Sequence, residues 1–83
     1  MAMNTKTIDK TTDVMIHTSI PLSQEQFSEI ANQVMSIDGV IKFEQNIRVP
    51  RLIMVAYNAG KIRALTILNK ITRLGFNASL VGI

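Results

Sequence analysis

Residues 12–40 read TDVMIHTSIPLSQEQFSEIANQVMSIDGV, and two different periods meet inside this stretch. In residues 12–18 the side chains alternate. Val14, Ile16 and Thr18 fall on one side and Asp13, Met15 and His17 on the other, which is the period-two signature of a strand. Pro21 cannot donate to a strand ladder and turns the chain away. From Phe27 the period changes. Phe27, Ile30, Ala31, Val34 and Met35 recur at three- and four-residue spacing and form one apolar stripe, with Glu25, Ser28, Glu29, Asn32 and Gln33 left outside it. Ser23 stands where an N-cap is needed, and Gln26, three residues on, completes a capping box. Glu25 and Glu29 suit the positive end of the helix dipole. Asp38-Gly39 predicts a left-handed stop. The fold therefore opens with a strand, a sharp turn and a capped helix.

Working outward, VIKFEQNI (40–47) predicts a second strand, RVPR (48–51) a turn around Pro50, and LIMVAY (52–57) a third strand. The unbroken apolar run of that third strand predicts contacts on both of its faces. Asn58-Ala59-Gly60 starts a second helix that runs to about Leu74. Its apolar residues are Ile62, Leu65, Leu68, Ile71 and Leu74, with Lys61, Arg63, Lys70 and Arg73 outside and Gly75 as the residue that ends it. FNASLVGI (76–83) predicts the last strand. The order β-α-β-β-α-β is the split βαβ, or ferredoxin-like, arrangement of the α+β class. Right-handed crossovers put both helices on one face of a four-stranded antiparallel sheet, with the first and third strands central and the other face uncovered. This domain occupies residues 12–83. Residues 1–11, MAMNTKTIDKT, read as a flexible polar tail without the apolar segment of a signal peptide.

Composition narrows the function classes. Eighty-three residues with 47% hydrophobic and 18% charged content make one small domain with a core. The absence of cysteine excludes a disulfide framework, a thiolate metal site and thiol redox chemistry. The longest apolar run, residues 52–57, is too short to span a bilayer, so a cytoplasmic protein is expected. A single His without paired acids or a nucleophile–base set argues against an enzyme. RNA-binding domains of this topology need stacking aromatics on the central strands. Here those positions hold Met, His and Leu, so no nucleic-acid partner is expected. Amino-acid-sensing regulatory domains share the strand order but carry a Gly-rich loop after the first strand, which this chain lacks.

Charge is unevenly distributed. All six acids lie in residues 1–44, whereas residues 45–83 contain Arg48, Arg51, Lys61, Arg63, Lys70 and Arg73 and no acid. Such a split steers acidic partners, although it also serves simply as a solvated basic face.

From Thr12 to Val81 the chain resembles heavy-metal-associated domains, the fold of small copper chaperones and of the N-terminal modules of metal-pumping ATPases. The resemblance rests on a first helix closing in DGV, the strand LIMVAYN, a second helix closing in LGF, and the final NASLV. In that family a G-M-x-C-x-x-C motif in the first loop holds a soft metal ion between two thiolates. Counting back from Gly39 puts those two positions at Ser23 and Gln26, and the preceding Gly-Met at Ile20 and Pro21. Ser and Gln are poor ligands for soft metals. The resemblance thus implies the family's junction without its ligands and no cofactor: a non-catalytic binding module in a metal-handling context.

Two surfaces are expected to carry such a role. Met15, Leu52 and Met54, with Val81, make an apolar patch on the uncovered sheet face, suited to a homodimer or a partner complex. Arg48, Arg51, Arg63 and Lys70 make a basic surface. The family's copper chaperones dock through such a face, which implies an acidic protein partner, for instance a metal-transport ATPase or a related membrane protein. The alternative is a metal carrier whose site is built without cysteine from Met15, His17 and Met54, two thioethers and an imidazole suited to Cu(I).

Overall fold

A computed structural model of the chain describes residues 10–81. Along the chain run β1 (Thr11–Thr18), α1 (Gln24–Met35), β2 (Val40–Gln45), β3 (Leu52–Asn58), α2 (Ala64–Arg73) and β4 (Ala78–Val81). The sheet order is β2-β3-β1-β4, and all three pairings are antiparallel. The expected α+β, ferredoxin-like βαββαβ arrangement is therefore present, with β1 and β3 in the centre. Of the tail expected over residues 1–11, positions 1–9 lie outside the described residues, as do positions 82–83 of the expected last strand. β1 begins at Thr11, just after Lys10, whose carbonyl accepts from the Ala59 N–H at 2.9 Å.

Alternation in the two central strands builds the core. Val14, Ile16 and Thr18 of β1 are buried on the same side as Ile53, Val55 and Tyr57 of β3. Ile30 and Val34 of α1, Ile67 and Ile71 of α2, and Leu22 of the β1–α1 connection pack onto them. Phe27 of α1 meets Phe43 of β2 with ring centroids 5.1 Å apart and planes tilted by 41°, an ordinary geometry for an aromatic pair.

Several expectations are corrected. α2 starts at Ala64, because residues 58–62 form a turn in which the Asn58 carbonyl accepts from the Lys61 and Ile62 N–H groups and its side chain from that of Gly60. The inward face of α2 carries Ala64, Ile67, Leu68, Ile71 and Leu74, while Leu65 is 54% exposed. A strict three-residue row such as 62, 65, 68, 71, 74 drifts around a helix of 3.6 residues per turn and cannot stay on one face. Met35, expected in the α1 stripe, is exposed. α1 stops at Met35 with Ser36 as a right-handed cap whose hydroxyl donates to the Gln33 carbonyl at 2.6 Å. Gly39, with φ 106°, belongs instead to the turn entering β2. There a Cβ would come within 3.2 Å of the Lys61 Cβ, so the glycine permits close approach to the β3–α2 connection. Gly75, with φ 101°, does end α2. The third strand does not contact helices on both faces. Leu52, Met54 and Ala56 are half-buried by their sheet neighbours alone, for both helices lie on the other side.

Strand direction sorts the connections to the two ends of the sheet. The 19–23 segment, the 46–51 hairpin and the 74–77 turn share one end, tied by Thr18 N–H to the Arg51 carbonyl at 2.8 Å and Ser19 N–H to the Asn77 carbonyl at 3.0 Å. Residues 36–39 and 59–63 share the other end, where Asn58 N–H donates to the Gly39 carbonyl at 2.7 Å.

Candidate functional site

The junction between β1 and α1 is set by three side chains. Thr18, buried on the core face of β1, donates its hydroxyl to the Ile20 carbonyl at 2.7 Å and so holds the start of the connection against the sheet. Ser23 is the N-cap of α1, with its Oγ accepting from the Gln26 N–H at 3.1 Å. The Gln26 Oε1 in turn accepts from the Ser23 N–H at 2.9 Å. Both members of the capping box read from the sequence are thus in place, and each already satisfies a backbone donor that the first helical turn would otherwise leave free. As a soft-metal site the pair does not fit. It offers a hydroxyl and an amide, and binding through them would undo the cap.

The open face of the sheet is ordered in rows. In register, Glu44, Met54, Met15 and Val81 line up across the four strands. The next row holds Leu52, His17 and Ser79. Met15 and Met54 are directly opposed and share a small cavity of about 140 Å³ with Glu44, Gln45 and Asn46. His17 lines a different depression, with Ser19, Asn77, Ala78 and Ser79. The fold therefore brings the two thioethers together and sets the imidazole one row away, toward β4. Among the described residues no group of three or more His, Asp or Glu side chains is placed to hold a metal ion. Met15, Leu52 and Met54 are half-buried, and Val81 is exposed beside Met15.

The basic residues separate into two sets. Arg48 and Arg51 lie on the 46–51 hairpin, and both are exposed. Arg63 is the N-cap of α2 and Lys70 follows two helical turns later on the same side. Lys70 is half-buried, and with Arg73, Thr66, Asn69, Leu74 and Ile37 it lines a groove of about 340 Å³. Among the described residues the ion pairs are Lys61–Asp38 at 3.5 Å and Lys42–Glu44 at 3.2 Å, so Arg48, Arg51, Arg63, Lys70 and Arg73 have no carboxylate partner there. Both pairs are solvent-exposed and contribute little to stability.

The turn expected over residues 48–51 is present but begins two residues earlier, at Asn46. Asn46 ends β2, its Oδ1 accepting from the Arg48 and Val49 N–H groups at 2.8 Å each. Ile47, expected at the end of the second strand, therefore sits in the connection and is 96% exposed. Asn46, four residues before Pro50, is the sequence signal that would have started the turn there.

No family model matches the sequence, and no curated protein matches it. Solved structures do match. Oxidized MerP from Ralstonia metallidurans CH34 superposes with a TM-score of 0.74 at 14% identity, over 86% of this chain and 97% of that one. A copper binding domain from HMA7, a P-type ATPase, gives 0.74 at 14% identity, over 84% and 93% of the two chains. The yeast copper transporter domain CCC2A, solved in its apo and Cu(I)-loaded states, gives 0.73 at 20% identity, over 83% and 93%. The chain is like heavy-metal-associated domains in fold, as its sequence resemblance implied, and it is without cysteine.

Proposed function

We propose that this chain is a non-catalytic binding module of a metal-handling system that has lost the paired-thiolate site and acts in the cytoplasm through protein contact. The observation that carries this reading is the capping box. Where paired thiolates would sit, Ser23 and Gln26 are engaged with each other's backbone, and the junction remains as a structural joint. The metal-handling setting is supported by the copper-binding domain of HMA7 and the copper transporter domain CCC2A, which share the fold. The first contact is made by the basic residues Arg48 and Arg51 on the hairpin and Arg63 and Lys70 on α2, which have no carboxylate partner among the described residues and so suit an acidic protein surface. The second is the open sheet face around Met15, Leu52 and Met54, a surface for homodimerisation.

The two surfaces respond to different perturbations. Charges at an interface rim act mainly on encounter, and salt screens them beyond about 8–10 Å at physiological ionic strength. Arg63→Glu with Lys70→Glu should therefore slow association with an acidic heavy-metal-associated partner domain about tenfold, with little change in dissociation. Met54→Asp should leave that association intact and abolish the homodimer in sedimentation equilibrium, with little dependence on salt. A monomer at millimolar concentration would remove the sheet-face contact, and salt-insensitive partner binding would remove the basic one.

A second reading is favoured by one observation, the direct opposition of Met15 and Met54 on adjacent strands. On it the chain is a metal carrier that holds Cu(I) with Met15, Met54 and His17. Cu(I)-dependent amide shifts confined to those three residues would support the carrier.

A further inference from the structure

We infer that the tip of the 46–51 hairpin, with Ile20 beside its base, is a wedge that docks reversibly on an anionic lipid surface. It lies apart from the open sheet face and from the α2 ridge, and it takes Arg48 and Arg51, placed above in a protein contact, to a lipid surface. Three branched aliphatic side chains crowd this one end of the domain in the open: Ile47 at 96% exposure, Ile20 at 53% and Val49 at 43%. Ile20 is held there because Thr18 binds both its carbonyl and that of Arg51 at the hairpin base. Arg48 and Arg51 alternate with the aliphatic residues, have no carboxylate partner among the described residues, and belong to a half-chain without a single acid.

Several polar groups of the tip are bonded within the hairpin. The Arg48 and Val49 N–H groups donate to Asn46 Oδ1, the Leu52 N–H donates to the Val49 carbonyl, the Gln45 amide donates to the Pro50 carbonyl, and Pro50 has no N–H. Much of the tip backbone is therefore satisfied internally and pays little to leave water. The same bonds hold the six residues in one shape before any encounter, so little ordering is lost on docking. What faces outward is two aliphatic side chains, a proline and two guanidiniums. A protein socket is normally recognised through shape and directed hydrogen bonds, and this convex tip keeps its amide side chains for itself. A lipid interface asks only for apolar groups at modest depth and cations at the phosphates, which guanidinium binds in bidentate fashion. Two arginines and a few aliphatic groups fall below what permanent anchoring needs, so the contact is reversible.

The test is co-sedimentation of the full chain with vesicles of phosphatidylcholine containing phosphatidylserine, against vesicles of phosphatidylcholine alone, at low salt. Binding should require phosphatidylserine. Arg48→Gln with Arg51→Gln should weaken it about thirtyfold, roughly fivefold for each arginine. Lys61→Gln with Arg63→Gln, an equal charge change at the opposite end of the domain, should weaken it only slightly. Ile47→Asp should weaken it about tenfold or more, whereas Ile47→Leu should bind like the parent. Three results would each overturn the inference: no phosphatidylserine-dependent binding, which would leave a protein socket as the occupant; Ile47→Asp binding like the parent; or equal losses from the hairpin and control variants, which would mean undirected attraction.

Discussion

Ile67→Ala should destabilise the domain by about 2–5 kcal/mol, whereas Leu65→Ala should change stability by no more than about 0.5 kcal/mol. Ile67 is fully buried and packs with Ile71 onto the two central strands, while Leu65, two residues away and so on nearly the opposite side of α2, is mostly exposed. Shortening Ile67 leaves a cavity that a small core collapses into only partly. Small domains have total stabilities of about 5–15 kcal/mol, so this loss is a large share of the fold's margin. Urea unfolding followed by circular dichroism separates the two variants. Equal effects would mean that α2 is rotated about its axis relative to this structure.

Ser23→Cys with Gln26→Cys should convert a chain with no affinity for soft metals at its helix start into one that binds one equivalent of Cu(I) or Zn(II). The two positions are the N-cap and N3 of α1, one helical turn apart, so thiolates there would face one another across the first turn. The metal-free variant should be less stable by about 0.5–2 kcal/mol, because the serine cap is lost. Metal should restore that loss, since a ligand at a hundred times its Kd adds about 2.7 kcal/mol. Competition with a chromogenic chelator reads the affinity, and thermal melts with and without metal read the linkage. A well-folded double variant without affinity would show that the 20–26 loop does not correspond to the metal loop of heavy-metal-associated domains.

Local chemistry was the most legible part of the sequence. The alternation of Val14, Ile16 and Thr18 with Asp13, Met15 and His17 identifies a half-buried strand without tertiary information, whereas the unbroken apolar run of residues 52–57 gives a strand but not which of its faces the helices cover. Ser23 and Gln26 announce their cap because every partner lies within three residues. The phase of α2 was harder. Apolar residues occur all along residues 62–74, and only the sheet decides that Ile67, not Leu65, turns inward. The end of β2 was illegible for a related reason, since VIKFEQNI alternates plausibly to its last residue. The strand stops at Gln45 because the Asn46 side chain captures two backbone N–H groups in competition with the ladder. That local event exposes Ile47. On the open face, strand register was needed to learn that Met15 opposes Met54 while His17 belongs to the neighbouring row.

The loss of the paired-ligand site is tested most directly by titration of the unaltered chain with Cu(I), Zn(II) and Ni(II), followed residue by residue through amide shifts. It predicts that residues 19–27 stay silent through several equivalents, because the Ser23 and Gln26 side chains remain engaged in the α1 cap. Saturable shifts centred on Ser23 and Gln26 at one equivalent of any of the three metals would contradict it.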